Sequence, residues 1–195
     1  LFDGSGQEFA ATLVQSSKKS ATVQVTEQLE GLAESPLRIH LGQAVSKGDR
    51  MDWAIQKATE LGVTEITPLL TEHGEVRLNE ERAQKRQEHW QQVAISACEQ
   101  SGRSHVPVIH PIQKLNTWMT QPHEGLKLVL HPYAKALSEY APTQQPTVLT
   151  GPEGGLSENE VEAALPQGFN AVSLGPRILR TETAPFYFLS AVSVL

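Results

Sequence analysis

From Leu37 onward, short apolar strand-like runs alternate with helix-like runs, and this alternation admits few architectures. Leu37-Arg38-Ile39-His40-Leu41 reads as a strand. Residues 51–61 read as a helix, with Met51, Ala54, Ile55, Ala58 and Leu61 on one face and Gly62 as its stop. Residues 64–70 form the next strand. Asn79 caps a long helix reaching Ser101, with Trp90, Val93, Ala94 and Ala97 at helical spacing and Gly102 at its end. Further strands cover residues 106–109, 126–130, 147–150 and 171–174. Ser157-Glu158-Asn159-Glu160 is a capping box for a helix through Leu165. Pro185 stands near the start of a last helical run, residues 186–195, where its missing N–H is tolerated. The expectation is a mostly parallel α/β sheet, whose ligands bind beyond the carboxyl ends of its strands.

Residues 1–35 differ from the rest. Two strand-like runs, residues 8–14 and 21–26, flank a polar turn at 16–20, and Val23 and Val25 alternate with polar neighbours. This predicts a hairpin, the remnant of a small β-barrel. Two strands alone are marginally stable, so the hairpin requires partners. The chain opens at Leu1 and ends within an apolar run, so it is expected to continue past both ends.

Composition narrows the partners. The 195 residues suit one large domain or two small ones, and 39% hydrophobic content supports a packed core. A net charge of −6 restricts any RNA surface to a local basic patch. The single cysteine, Cys98, excludes an internal disulfide and points to a reducing compartment. No apolar run approaches the roughly 20 residues of a membrane span.

Most catalytic signatures are missing. There is no P-loop, no G-x-G-x-x-G and no G-x-S-x-G. The seven histidines are scattered, with no spacing that builds a metal site. Cys98 reads as a core residue of the long helix.

Two glycine-rich loops stand out instead. Gly151-Pro152-Glu153-Gly154-Gly155-Leu156-Ser157 joins a strand to a helix, where backbone amides point outward. Leu174-Gly175-Pro176-Arg177-Ile178-Leu179-Arg180-Thr181-Glu182-Thr183-Ala184 does the same, and adds charged side chains within packed surroundings. Such loops at neighbouring strand ends can build one small-molecule pocket, although each alone also reads as a turn. The basic residues Arg77, Arg82, Lys85, Arg86 and Arg103 concentrate on and around the long helix. Glu80, Glu81, Glu88 and Glu99 interleave with them, so a solvated ion-paired face and an RNA-binding face are both open. Arg103 follows Gly102 at the helix end, a plausible place for substrate contact.

Taken together these segments resemble the SPOUT methyltransferases, and within them the bacterial 16S ribosomal RNA uridine N3-methyltransferases. The matching stretches are residues 55–63, Ala97-Cys98-Glu99-Gln100-Ser101-Gly102-Arg103, Leu130-His131-Pro132, and the two glycine-rich loops. The resemblance implies a C-terminal trefoil knot over residues 36–195, against the usual rule that chains avoid knots. It implies that residues 1–35 belong to a PUA-like RNA-binding barrel. It implies S-adenosylmethionine as methyl donor, no metal, a cytoplasmic homodimer with no membrane association, and 16S ribosomal RNA within the small subunit as partner. The donor pocket would comprise Leu130, His131, Pro132, Thr150, Gly151, Pro152, Glu153, Gly154, Gly155, Leu174, Gly175, Ile178, Leu179, Arg180, Thr181, Glu182 and Thr183. RNA contacts would come from Arg77, Arg82, Lys85, Arg86, Gln100 and Arg103.

The implied chemistry attacks the donor methyl with uridine N3, whose proton must first leave. Arginine stays protonated, so Arg180 and Arg103 are cast as donors to the uracil oxygens. Glu182 or Glu153 would accept the proton or orient an arginine. His73 stands where relatives carry arginine, and Pro185 where a small residue is expected. Competing readings are a SPOUT methyltransferase acting on another RNA, and a non-catalytic RNA-binding module.

Overall fold

A computed structural model describes residues 1–31, 34–74, 79–140 and 145–193. Strands β1 (Glu8–Ser16) and β2 (Ala21–Leu29) pair antiparallel as the expected hairpin. Leu13, Val14, Val23, Val25 and Leu29 are exposed, so the hairpin does not bury its own apolar side chains. Backbone bonds of 3.0 Å from Gly6 N to Ser104 O and from Val106 N to Gly4 O dock it on the rest of the chain.

The remainder runs β3 (His40–Ala44), α1 (Arg50–Glu60), β4 (Glu65–Leu70), α2 (Glu80–Ser101), β5 (Val108–Ile109), β6 (Gln113–Lys114), α3 (Leu115–Met119), β7 (Lys127–Ala136), β8 (Thr147–Thr150), α4 (Glu158–Ala164), β9 (Phe169–Ser173) and α5 (Thr183–Ser193). The strands form one sheet in the order β5-β4-β3-β8-β7-β9, with β6 also on β4. Every pairing in it is parallel. This is the expected α/β class.

Both sheet faces are covered, and period-2 alternation sorts the strand residues between two cores. Leu41, Ile66, Leu128, Val148 and Val172 pack with Met51, Ile55, Trp90, Phe188 and Leu189 from α1, α2 and α5. Leu69, Val129, Leu149 and Phe169 pack with Leu115, Trp118 and Ala164 from α3 and α4. Gly42 makes room for the second layer: a Cβ there would lie 2.4 Å from the Trp118 ring.

The helix ends follow their local signals. Asn79 Oδ1 accepts from Arg82 N at 2.9 Å, and Gly102 takes a left-handed φ of 77°. Ser157 and Glu160 form the full capping box of α4. That helix stops at Ala164, and a 3-10 turn (Leu165–Gln167) containing Pro166 follows. β3 begins at His40, the first residue paired on both sides, rather than at Leu37. The short β6 and α3 carry too few residues for a periodic pattern to announce them. Among the described residues no helix is long and apolar enough to cross a membrane.

Candidate active site

Beyond the carboxyl ends of β7, β8 and β9 lies a cavity of about 630 Å³, within the size range of small-molecule sites. Three loops wall it. Residues 151–155 leave β8, and residues 174–182 leave β9. The third wall comes from β7 itself. Its register on β9 reads Leu130↔Val172 and then Lys135↔Val172, so residues 131–134 have no partner on β9. That unmatched stretch brings His131, Pro132 and Tyr133 to the cavity.

A buried hydroxyl joins the two glycine-rich loops. Thr181 Oγ1 donates to the Gly151 carbonyl at 2.7 Å and accepts from Gln43 Nε2 at 3.2 Å. Gly151 sits in tight quarters, where a Cβ would lie 3.0 Å from Leu156 N. Gly155 and Gly175 have φ of +75° and +109°, a region costly for other residues. A Cβ on Gly154 would approach His73 Cβ to 3.3 Å. His73 Nδ1 also lies 3.2 Å from Gly155 O, so the segment after β4 packs onto the first loop. Glu72 N, donating to Glu160 Oε1 at 2.7 Å, holds that segment against α4.

The carboxylates divide into two kinds. Glu153 Oε1 accepts from Arg50 Nη1 at 2.8 Å and from Lys47 N at 3.2 Å. Burial alone would raise the Glu153 pKa, but hydrogen bonds from its own amide, Arg50 and Lys47 hold it below the usual carboxylate value. Glu182 is different: its Oε2 is buried without a hydrogen-bond partner, and so is Thr150 Oγ1. Both residues contribute to the cavity wall. Arg180 also lines it, with an exposed side chain that has no polar partner among the described residues. Its carbonyl accepts from Thr183 N at 2.9 Å and Ala184 N at 3.0 Å, which anchors the start of α5.

Leu130, His131, Pro132, Thr150, Gly151, Pro152, Glu153, Gly154, Gly155, Leu174, Gly175, Ile178, Leu179, Arg180, Thr181 and Glu182 all line this one cavity. Thr183 does not; it begins α5. Arg50, Tyr133, Leu156, Val172, Arg177 and Ala184 also line it. Arg50 has no local signal, since it arrives from the first turn of α1 through tertiary folding.

Arg103 lies apart from the other candidate catalytic residues. It does not line the cavity, and its guanidinium is committed elsewhere. Nε and Nη2 donate to the Glu34 carboxylate at 2.8–3.2 Å, while Nη1 donates to the Thr59 and Val63 carbonyls at 2.7 and 3.1 Å. The polar cluster at the end of α2 thus closes carbonyls at and just past the end of α1.

The other basic residues lie on a separate surface. Lys85 pairs with Glu81 at 2.7 Å, as a solvated face would. Arg82 is exposed and Arg86 half-buried, and neither side chain has a partner among the described residues. Gln100 is exposed, and none of these residues lines the cavity. Arg77 lies outside the described residues. Cys98 is buried, with Sγ 3.6 Å from His105 O, and burial pushes its thiol pKa up. It is a core residue, as expected.

Residues 33–193 match the family described as RNA methyltransferase domain. Ribosomal RNA small subunit methyltransferase E of Buchnera aphidicola (Acyrthosiphon pisum strain APS) is 34% identical over 200 residues, covering 100% of this chain and 78% of that protein. The same enzyme of Bacillus subtilis strain 168 is 33% identical, covering 96% of this chain and 78% of the relative. Among solved structures, ribosomal RNA small subunit methyltransferase E from Neisseria gonorrhoeae, bound to S-adenosyl methionine, superposes with a TM-score of 0.92 at 42% identity. The superposition covers 99% of this chain and 81% of that one.

Proposed function

Because this chain belongs to the RNA methyltransferase domain family that contains ribosomal RNA small subunit methyltransferase E, we propose that it methylates N3 of a uridine in 16S ribosomal RNA, with S-adenosylmethionine as donor. The observation that carries the donor assignment is the pair of glycine-rich loops tied by Thr181 around one cavity. The cavity suits that donor on three counts. Its volume is sufficient. Residues 151–155 let a ligand approach the backbone. The Thr181 hydroxyl fixes the two loops in one wall before a ligand binds. Residues 130–132, 150–155, 174–175 and 178–182 would hold it.

S-adenosylmethionine supplies a methyl group on a sulfonium, reactive enough that the protein's main work is positioning. The chain's residues then manage the uridine. Arg180, on the cavity wall and without a polar partner among the described residues, is the donor for the uracil oxygens on which charge develops as N3 loses its proton. Glu182 is the proton acceptor, because no hydrogen bond among the described residues engages its carboxylate, while Glu153 is engaged by Arg50 and Lys47. Glu153 positions the first loop.

The same reading makes residues 1–35 part of a PUA-like RNA-binding barrel and residues 36–195 the SPOUT domain with its trefoil knot. It has a cytoplasmic homodimer act on the small ribosomal subunit, with Arg82, Arg86 and Gln100 on the RNA-facing surface. The exposed apolar residues of the hairpin support a further layer over it.

The test is methylation of purified small subunits, with modified nucleosides identified by mass spectrometry. The expected product is N3-methyluridine. Arg180→Ala should cut turnover far more than donor binding. A different methylated base, or donor binding without any methylated RNA, would overturn the reading.

A further inference from the structure

At the amino ends of the sheet, away from the cavity just described, His40 opens β3 and Glu65 opens β4, and the two are register partners. Glu65 in turn pairs with Val108, and His110 stands two residues further on. Period-2 alternation therefore sets His40, Glu65 and His110 on the same sheet face, across three adjacent strands. One ligand atom from each lies within 4.8 Å of the others. Today these groups satisfy one another and a neighbour. His110 Nε2 lies 2.7 Å from Glu65 Oε2, and His40 Nε2 lies 2.8 Å from Thr67 Oγ1. A second cavity, about 290 Å³, opens beside them, with His123 in its wall.

We infer that His40, Glu65 and His110 form a binding site for one divalent transition-metal ion with the preferences of zinc. Two imidazoles and one carboxylate are a donor set that zinc takes readily, leaving a fourth position for water from the adjoining cavity. Calcium and magnesium prefer oxygen ligands and do not match it. Metal–ligand bonds of about 2.0–2.2 Å at a tetrahedral centre require donors about 3.3–3.6 Å apart. The side chains of His110 and Glu65 are 32% and 47% exposed, so they can make that adjustment without disturbing the core. The ion would replace the proton now shared between His110 and Glu65. Thr67 Oγ1 is placed to orient the His40 ring.

The ion would link β3, β4 and β5 at the pole opposite the methyl-transfer cavity. It therefore adds stability and takes no part in the chemistry proposed above. The linear spacing of the histidines gives no hint of this, because the triad exists only after the strands align.

The experiment uses the full chain without a polyhistidine tag, stripped with chelator and titrated with Co²⁺ and then Zn²⁺. The expected result is one equivalent of Co²⁺ with the visible absorption of a tetrahedral centre, displaced by Zn²⁺, and a melting temperature raised by excess Zn²⁺. Glu65→Gln, nearly isosteric, and His110→Ala should each weaken binding at least about 10-fold, with far-UV circular dichroism unchanged. Absence of saturable binding would overturn the inference. So would binding indifferent to both substitutions, which would assign the ion to dispersed surface histidines such as His89.

Discussion

Thr181 Oγ1 donates a 2.7 Å hydrogen bond to the carbonyl of Gly151, thirty residues earlier in the chain, and so makes one wall of two loops. Removing that hydroxyl takes the donor from the Gly151 carbonyl and leaves the Gln43 amide with only its bond to the Ala44 carbonyl. Thr181→Val should therefore weaken donor binding by about 1–2 kcal/mol, roughly 5- to 30-fold. Calorimetric titration with S-adenosylmethionine measures it. An unchanged dissociation constant would mean that the two loops hold their geometry independently.

Gly155 has φ +75°, and a Cβ added to it would meet nothing within 4 Å, so alanine there tests backbone conformation alone. Gly155→Ala should cost about 1–2 kcal/mol locally and lower donor affinity. Gly62, with φ +90° at the end of α1, is the matched control. Gly62→Ala should lower the urea midpoint similarly while leaving donor affinity intact. Equal effects of both variants on donor affinity would remove any special role for the first loop's backbone.

Arg103→Ala should behave as a structural lesion. It deprives the Glu34 carboxylate and the Val63 carbonyl of their donor, and leaves the Thr59 carbonyl with only Gly62 N. The expected loss is about 2–4 kcal/mol in urea unfolding, with donor affinity changed less than about 3-fold. Normal stability combined with collapsed turnover would restore Arg103 to the substrate site.

His40 makes stability depend on pH in the metal-free protein. Burial pushes its pKa from 6.5 down to about 4; Glu65 opposes the shift, and His110 and His123 add to it. The unfolded chain then binds this proton more tightly than the folded one. The contribution is full above about pH 6.5, falls as pH drops, and is spent near pH 4, a loss of about 3 kcal/mol. Urea midpoints of wild type and His40→Gln, compared at pH 7 and pH 4.5 in chelator, should converge at the lower pH. A constant difference would show that His40 does not titrate in this window.

Much of the fold was legible because its signals are local. The 3.6-residue spacing of Met51, Ala54, Ile55 and Ala58, the Asn79 cap and the Ser157–Glu160 box act within one or two turns. Most of the cavity lining was legible too, because glycines at strand ends mark backbone conformations that other residues strain to adopt. The role of Arg103 was not. A polar residue after a helix-ending glycine looks the same whether it faces a substrate or a carboxylate at Glu34.

By itself, then, the sequence determined the alternation of strands and helices, their caps, and the two loops that line one cavity. Tertiary structure decided which charges remain free. Glu153 is engaged by Arg50, 103 positions away, while one oxygen of Glu182 is left without a partner. It also decided that His40, Glu65 and His110 meet at one end of the sheet. Such pairings depend on strand order and register, which are set by packing across the whole sheet and leave no trace in the spacing of residues along the chain.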